Sequence, residues 1–128
     1  MNLLLDTHAF LWFIAGDPKL SPTARHATED EGNLKLVSIA SLWEMAIKVS
    51  LGKLILQRPF KELIPRQIEA NGFDVLPVRI EHVARLTSMP FVHRDPFDRM
   101  LVAQCLENEL TVVSGDPAFD GYSIRRIW

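Results

Sequence analysis

The sequence holds a single cysteine, Cys105, so no disulfide can form within the chain. Cys105 sits in the apolar pattern Leu101-Val102-Ala103-Gln104-Cys105-Leu106 and is read as a small core hydrophobe. A signal-peptide pattern is missing too: Met1-Asn2 runs straight into Leu-Leu-Leu-Asp, without a basic start or a small-residue cleavage site. Charges interrupt every apolar stretch well short of a membrane span, so a cytoplasmic location with no membrane partner is expected. There is no basic excess, since 14 Lys+Arg against 16 Asp+Glu give a net charge of −2. That sum does not advertise a polyanion binder, but carboxylates neutralised locally would leave lysines and arginines elsewhere to face phosphate. Repeats, low-complexity tracts and Pro/Gly/Ser linkers are absent, and 128 residues at 48% apolar content suit one domain over 1–128 with one core.

What is present is an alternation of strand and helix signals. Asn2 to Leu5 reads as a buried strand ending at Asp6, and Thr7 to Ala15 as a helix closed by Gly16-Asp17-Pro18. That helix is apolar around nearly its whole circumference, which requires deep burial or a covering subunit. Ser21-Pro22 opens a helix to about Glu31, with Ser21 as cap and Pro22 in the first helical position. Leu34 to Ser38 is a second strand, and Ile39 to Val49 a long helix that carries Glu44. Phe60, Leu63, Ile64 and Ile68 keep helical spacing, with Pro65 expected to break them into two short helices before Gly72. Phe73 to Val78, interrupted by Pro77, suits an edge strand or a strand end. Ile80 to Ser88 is predicted helical, with Val83, Leu86 and Met89 toward the core. Asp95-Pro96 starts another helix, Leu110 to Ser114 is a buried strand, and Ile124 to Ile127 adds an edge. This order predicts an α/β fold with a mostly parallel sheet and helices on both faces.

Ligands of such sheets bind at the carboxyl ends of the strands. Asp6 and Asp116 fall at two of those ends, and Glu44 and Asp98 lie on helices that begin near the same edge. Four carboxylates about 5 to 6 Å apart would repel by roughly 3 kcal/mol per pair at an effective dielectric near 20. A marginally stable domain cannot hold that unrelieved, so the cluster must take up protons, gather cationic side chains or bind cations. An all-carboxylate site suits Mg²⁺ or Mn²⁺, and the chemistry such an ion promotes is hydrolysis of a phosphodiester by water. No GxSxG elbow, convincing Cys/His pair or glycine-rich phosphate loop offers another route.

At these residues the chain resembles the PIN-domain family, and within it the VapC-like ribonuclease toxins of toxin–antitoxin pairs. The matching stretches are Leu4-Leu5-Asp6-Thr7-His8, Val37-Ser38-Ile39-Ala40-Ser41-Leu42-Trp43-Glu44-Met45-Ala46-Ile47-Lys48, His93-Arg94-Asp95-Pro96-Phe97-Asp98-Arg99-Met100-Leu101 and Val113-Ser114-Gly115-Asp116. The resemblance implies a three-layer α/β/α fold and a metal-dependent endoribonuclease acting on structured RNA such as tRNA or rRNA. It also implies a homodimer and a cognate antitoxin. Asp6, Glu44 and Asp98 match the three core acidic ligands, Asp116 the less regular fourth, and Thr7 and Ser114 the hydroxyls beside them.

Each of these residues also has a structural role open to it. Asp6 can cap the helix after it. Ser41-Leu42-Trp43-Glu44 fits a capping box, and Glu44 with Lys48 fits a helical ion pair. Asp95 before Pro96 suits a cap, which leaves Asp98 as the ligand. Asp116 in Gly-Asp-Pro also suits a turn. His93 is read as a hydrogen-bonded structural histidine in preference to an acid or base. Arg94 and Arg99 either hold phosphate or balance carboxylates. Lys48, Lys53 and Arg58 are solvated charges with RNA-backbone contact as the alternative. Trp12 and Trp43 are placed in the core, with a homodimer patch as the second reading. Two other functions compete. One is an aspartyl phosphotransferase using Asp6, where the usual second Asp is replaced by His8; the other is a silent module docking a basic peptide.

Overall fold

The computed structural model describes residues 1–128. The elements run β1 (Asn2–Leu5), α1 (Thr7–Ala15), α2 (Pro22–Glu29), β2 (Leu34–Ser38), α3 (Ile39–Ser50), α4 (Phe60–Ala70), β3 (Asp74–Leu76), α5 (Ile80–Arg85), α6 (Pro96–Asn108), β4 (Thr111–Val113) and β5 (Arg125–Ile127). The strands form one sheet in the order β3-β2-β1-β4-β5, with every pairing parallel. Parallel neighbours cannot be joined by tight hairpins, so helices fill the crossovers and cover both faces.

Strand alternation divides the core in two. Leu4, Leu36 and Val112 turn to one face and pack with Leu101, Val102 and Cys105 of α6 and with Phe119. Leu3, Leu5, Val37 and Val113 turn to the other, against Phe10 of α1, Ala24 of α2, Met45 of α3 and Ile64 of α4. The result is the expected three-layer α/β/α arrangement. No helix is long and apolar enough to cross a membrane.

Several elements depart from expectation. Pro65 does not break α4, which runs unbroken from Phe60 to Ala70. Pro65 is exposed and supplies no N–H to the Lys61 carbonyl, while Ile64 just before it is buried. Val83 is 50% exposed rather than in the core. The core residue of α5 is His82, fully buried, with Nδ1 accepting from the Arg79 N–H at 3.0 Å and Nε2 lying 2.7 Å from Asn108 Oδ1. The last turn, Leu86–Ser88, tightens to a 3₁₀ turn. Trp43 is 63% exposed, contrary to its core assignment, and stands edge-on to Phe97 with ring centroids 5.3 Å apart.

Candidate metal centre

The chain lays β1, β2 and β3 successively to one side and then returns to place β4 and β5 on the other side of β1. The winding therefore reverses between β1 and β4, which opens a crevice beyond their carboxyl ends. Asp6 follows β1 directly, and its N–H extends the ladder to the Val113 carbonyl at 3.1 Å. Ser114, Gly115 and Asp116 leave β4 beside it.

Asp6 is 8% exposed, and one carboxylate oxygen caps α1 by accepting the Ala9 N–H at 2.8 Å. The cap and a site role coexist, because a carboxylate has acceptor capacity to spare. Burial raises the Asp6 pKa; the Ser114 hydroxyl and the Ala9 N–H work against the rise, and Glu44 adds to it. Glu44 is also 8% exposed. Its Oε1 accepts the Thr7 hydroxyl at 2.6 Å, and its Oε2 pairs with Lys48 Nζ at 3.0 Å. The capping box does not form: α3 begins at Ile39 with Ser38 as its cap, which puts Glu44 beyond the first turn.

Asp95 caps α6, accepting from the Phe97 and Asp98 N–H groups at 2.8 and 3.3 Å. Asp98 is thereby left to the crevice. Burial pushes its carboxyl up to about 7, reinforced by the negative charges of Asp95, Asp6 and Glu44 and opposed by His93. Asp98 thus feels the charges of Asp6 and Glu44, although neither of those acids belongs to the group of ligand atoms that lie within 4.8 Å of one another around Asp98.

Asp116 combines turn and site roles. Its Oδ1 accepts the Ala118 N–H at 2.9 Å, and its Oδ2 lies 3.0 Å from His93 Nε2. Burial works to raise its pKa, but the Ala118 N–H, the His93 ring and Arg126 bring it below the usual carboxylate range. The Ser114 hydroxyl accepts the Asp116 N–H at 3.0 Å.

His93 has a larger part than its sequence context indicated. Its N–H donates to Tyr122 Oη at 2.9 Å, its Nδ1 lies 3.2 Å from the same oxygen, and its ring stacks parallel to Tyr122. The His93 ring is thus held between Tyr122 Oη at Nδ1 and Asp116 Oδ2 at Nε2. His93, Asp98 and Asp116 each place a ligand atom within 4.8 Å of the others. The burial that aims this ring has no signature in the local sequence, and neither has Arg126, which donates to the Ser114 carbonyl at 3.1 Å.

The cations differ in availability. Arg99 is buried and committed to the Pro90 and Leu86 carbonyls at 2.8 and 3.2 Å, with its guanidinium 4.2 Å from the Phe91 ring centre. Lys48 is held by Glu44. Arg94, Lys53 and Arg58 are exposed.

A desolvated acid among like charges, bordered by carboxylates and one imidazole, is a donor set that fits a hard divalent cation. The two possible groupings differ in preference: oxygens alone suit Mg²⁺, whereas inclusion of His93 favours Mn²⁺.

Comparison with known proteins agrees with this fold. No curated protein sequence matches the chain significantly. Among solved structures the chain is similar to VapBC2 from Rickettsia felis bound to a DNA fragment from their promoter, at 12% identity and TM-score 0.67, covering 98% of this chain and 97% of that one. It is similar to VapBC-1 from nontypeable Haemophilus influenzae, at 13% identity and TM-score 0.65, covering 98% and 96%. FitAcB from Neisseria gonorrhoeae aligns at 18% identity and TM-score 0.60, covering 97% and 95%. Such identities speak for the fold alone. The family model described as the PIN domain matches residues 3–124, so it takes in every acid of the crevice, and the chain belongs to the PIN domain family.

Proposed function

We propose that this chain is an Mg²⁺- or Mn²⁺-dependent endoribonuclease, folded as one domain over residues 1–128, that acts as the toxin of a toxin–antitoxin pair. The observation that carries the reading is the grouping of Asp98, Asp116 and His93, whose ligand atoms lie within 4.8 Å of one another at the sheet's switch point. Asp6, Glu44, Asp98 and Asp116 hold the ion. When bound, the ion lowers the pKa of water at the site and offsets charge at phosphorus.

The protein's own groups fix the geometry. Thr7 and Lys48 hold the two Glu44 oxygens in place, which leaves the carboxylate little rotational freedom. The Ala9 N–H fixes one Asp6 oxygen and leaves the other for the crevice. His93, stacked on Tyr122, lies 3.0 Å from Asp116 Oδ2 through its Nε2, which restricts the orientation of that carboxylate. Arg94, exposed at the start of α6, is the free cation best placed for RNA phosphate, since Arg99 and Lys48 are engaged internally.

Tertiary likeness to proteins named in pairs, VapBC and FitAB, supports a partner protein that serves as antitoxin. Ile39, Trp43 and Ile47 recur every fourth residue along α3 and are 44%, 63% and 36% exposed, which supports a homodimer through this stripe. A structured RNA such as tRNA or rRNA is the proposed substrate.

The test is incubation of the purified chain with total RNA in Mg²⁺ or Mn²⁺, beside Asp6→Asn. Cleavage by the native chain alone is expected. Equal cleavage by both, or by neither, removes the mechanism.

A further inference from the structure

Asp6 and Asp116 form one wall of a second feature, a cleft of about 420 Å³ whose other walls are Trp12, Trp128, His8 and Lys19. The Trp12 and Trp128 ring centroids are 6.0 Å apart and their planes are inclined at 54°. Lys19 Nζ lies 6.0 Å from the Trp12 ring centre, and His8 meets the same ring at 5.6 Å. The backbone passes close under Trp128: a Cβ on Gly115 would lie 2.9 Å from Trp128 Cε2. His8 and Lys19 are exposed, and neither takes part in the ion pairs of the fold.

We propose that this cleft is the subsite for one nucleotide of the substrate, its base against the indoles of Trp12 and Trp128 and its phosphate toward Lys19 and His8. Three observations meet here. The volume lies in the roughly 300–1,000 Å³ range of small-ligand sites. Indole faces stack on any base, and a lysine with an imidazole supplies donors for the phosphate. Above all, the cleft shares Asp6 and Asp116 with the acidic crevice, so a nucleotide seated in it presents its neighbouring phosphodiester to those carboxylates. Trp43 lies on α3 and is absent from these walls. This deepens the nuclease reading and rests on it for the class of substrate.

The three tryptophans make the test self-controlled. In ¹⁵N-labelled protein with MgCl₂, uridine 5′-monophosphate is titrated against the three indole N–H signals, assigned with Trp→Phe variants. The Trp12 and Trp128 signals are expected to move together while that of Trp43 stays still. Lys19→Ala, a change at an exposed side chain, is expected to weaken the nucleotide about tenfold without altering the melting temperature. Ribose 5-phosphate, which lacks a base, is expected to bind more weakly by at least as much. Stationary Trp12 and Trp128 signals, movement of Trp43 alone, or equal binding by the Lys19 variant overturns the subsite. RNA cleavage is scored separately. Cleavage with unmoved indoles sinks the subsite and spares the nuclease; indole shifts without cleavage do the reverse.

Discussion

Asp98 makes the electrostatics of the site measurable. A carboxyl whose ordinary value is 3.8 but stands near 7 in the fold binds its proton more tightly folded than unfolded. Its stabilising contribution is therefore complete below about pH 3.8 and is lost as the pH rises through about 7. At this partly exposed site, solvent screening reduces the effect to about 2 kcal/mol. In EDTA, Asp98→Asn is expected to melt several degrees above the native chain at pH 8 and level with it at pH 4; assayed separately with Mg²⁺, it is expected to lose RNA cleavage. A variant that melts lower at both pH values would make Asp98 a structural residue. Calorimetry of Mn²⁺ binding supplies a companion measurement: affinity should climb with pH and level off above about 7, as the ion ceases to displace the Asp98 proton. His93→Gln is expected to weaken Mn²⁺ more than Mg²⁺, since His93 offers the one nitrogen among the three candidate ligand atoms of its cluster. Equal weakening of both ions would confine His93 to orienting Asp116.

Among the elements, α4 carries a helix-breaking residue that its packing overrides. Pro65→Ala restores an N–H for the Lys61 carbonyl and is expected to stabilise the chain by about 1 to 3 kcal/mol in urea unfolding; a loss of stability would show that Pro65 makes a needed contact. The same element shows what local sequence omits. Intrinsic propensity at Pro65 predicted a break, whereas the burial of Ile64 against Phe10 and Phe73 is a tertiary contribution that no window of residues contains. The strands were legible because buried parallel strands are continuous apolar runs, as in Leu3-Leu4-Leu5 and Val112-Val113. Val83 was misplaced because helical spacing indicates one apolar stripe without saying which side faces the sheet, and there the core position went to His82. Asp6 and Asp116 were legible as residues just beyond strand ends because each closely follows an apolar run, and Glu44 and Asp98 as helical residues. His93 is the hydrogen-bonded histidine expected, but its partners Tyr122 and Asp116 were not legible, and the role of Arg99 was missed, since its carbonyl partners Leu86 and Pro90 are set by the fold.

On the scale of the whole molecule, α1 and α3 set the limits of self-sufficiency. Leu11, Trp12, Phe13 and Ile14 are only partly covered, and Trp43 stands well clear of the core. A homodimer through α3 predicts that Trp43→Glu halves the mass measured by light scattering and leaves the circular dichroism spectrum unchanged. An unchanged mass would assign that stripe another task. Both core clusters share the sheet between them, so a single coincident transition by fluorescence and circular dichroism is expected on urea unfolding.

The order β3-β2-β1-β4-β5 has a bearing on timing. During synthesis β1 leaves the ribosome early with Asp6 at its tip, yet one flank of that strand stays open until residues 111–113 arrive to pair with it. Asp98 and Asp116 are translated just before and just after that moment. The edge of β1 beside which Asp6 and Asp116 lie therefore cannot close until β4 has been made.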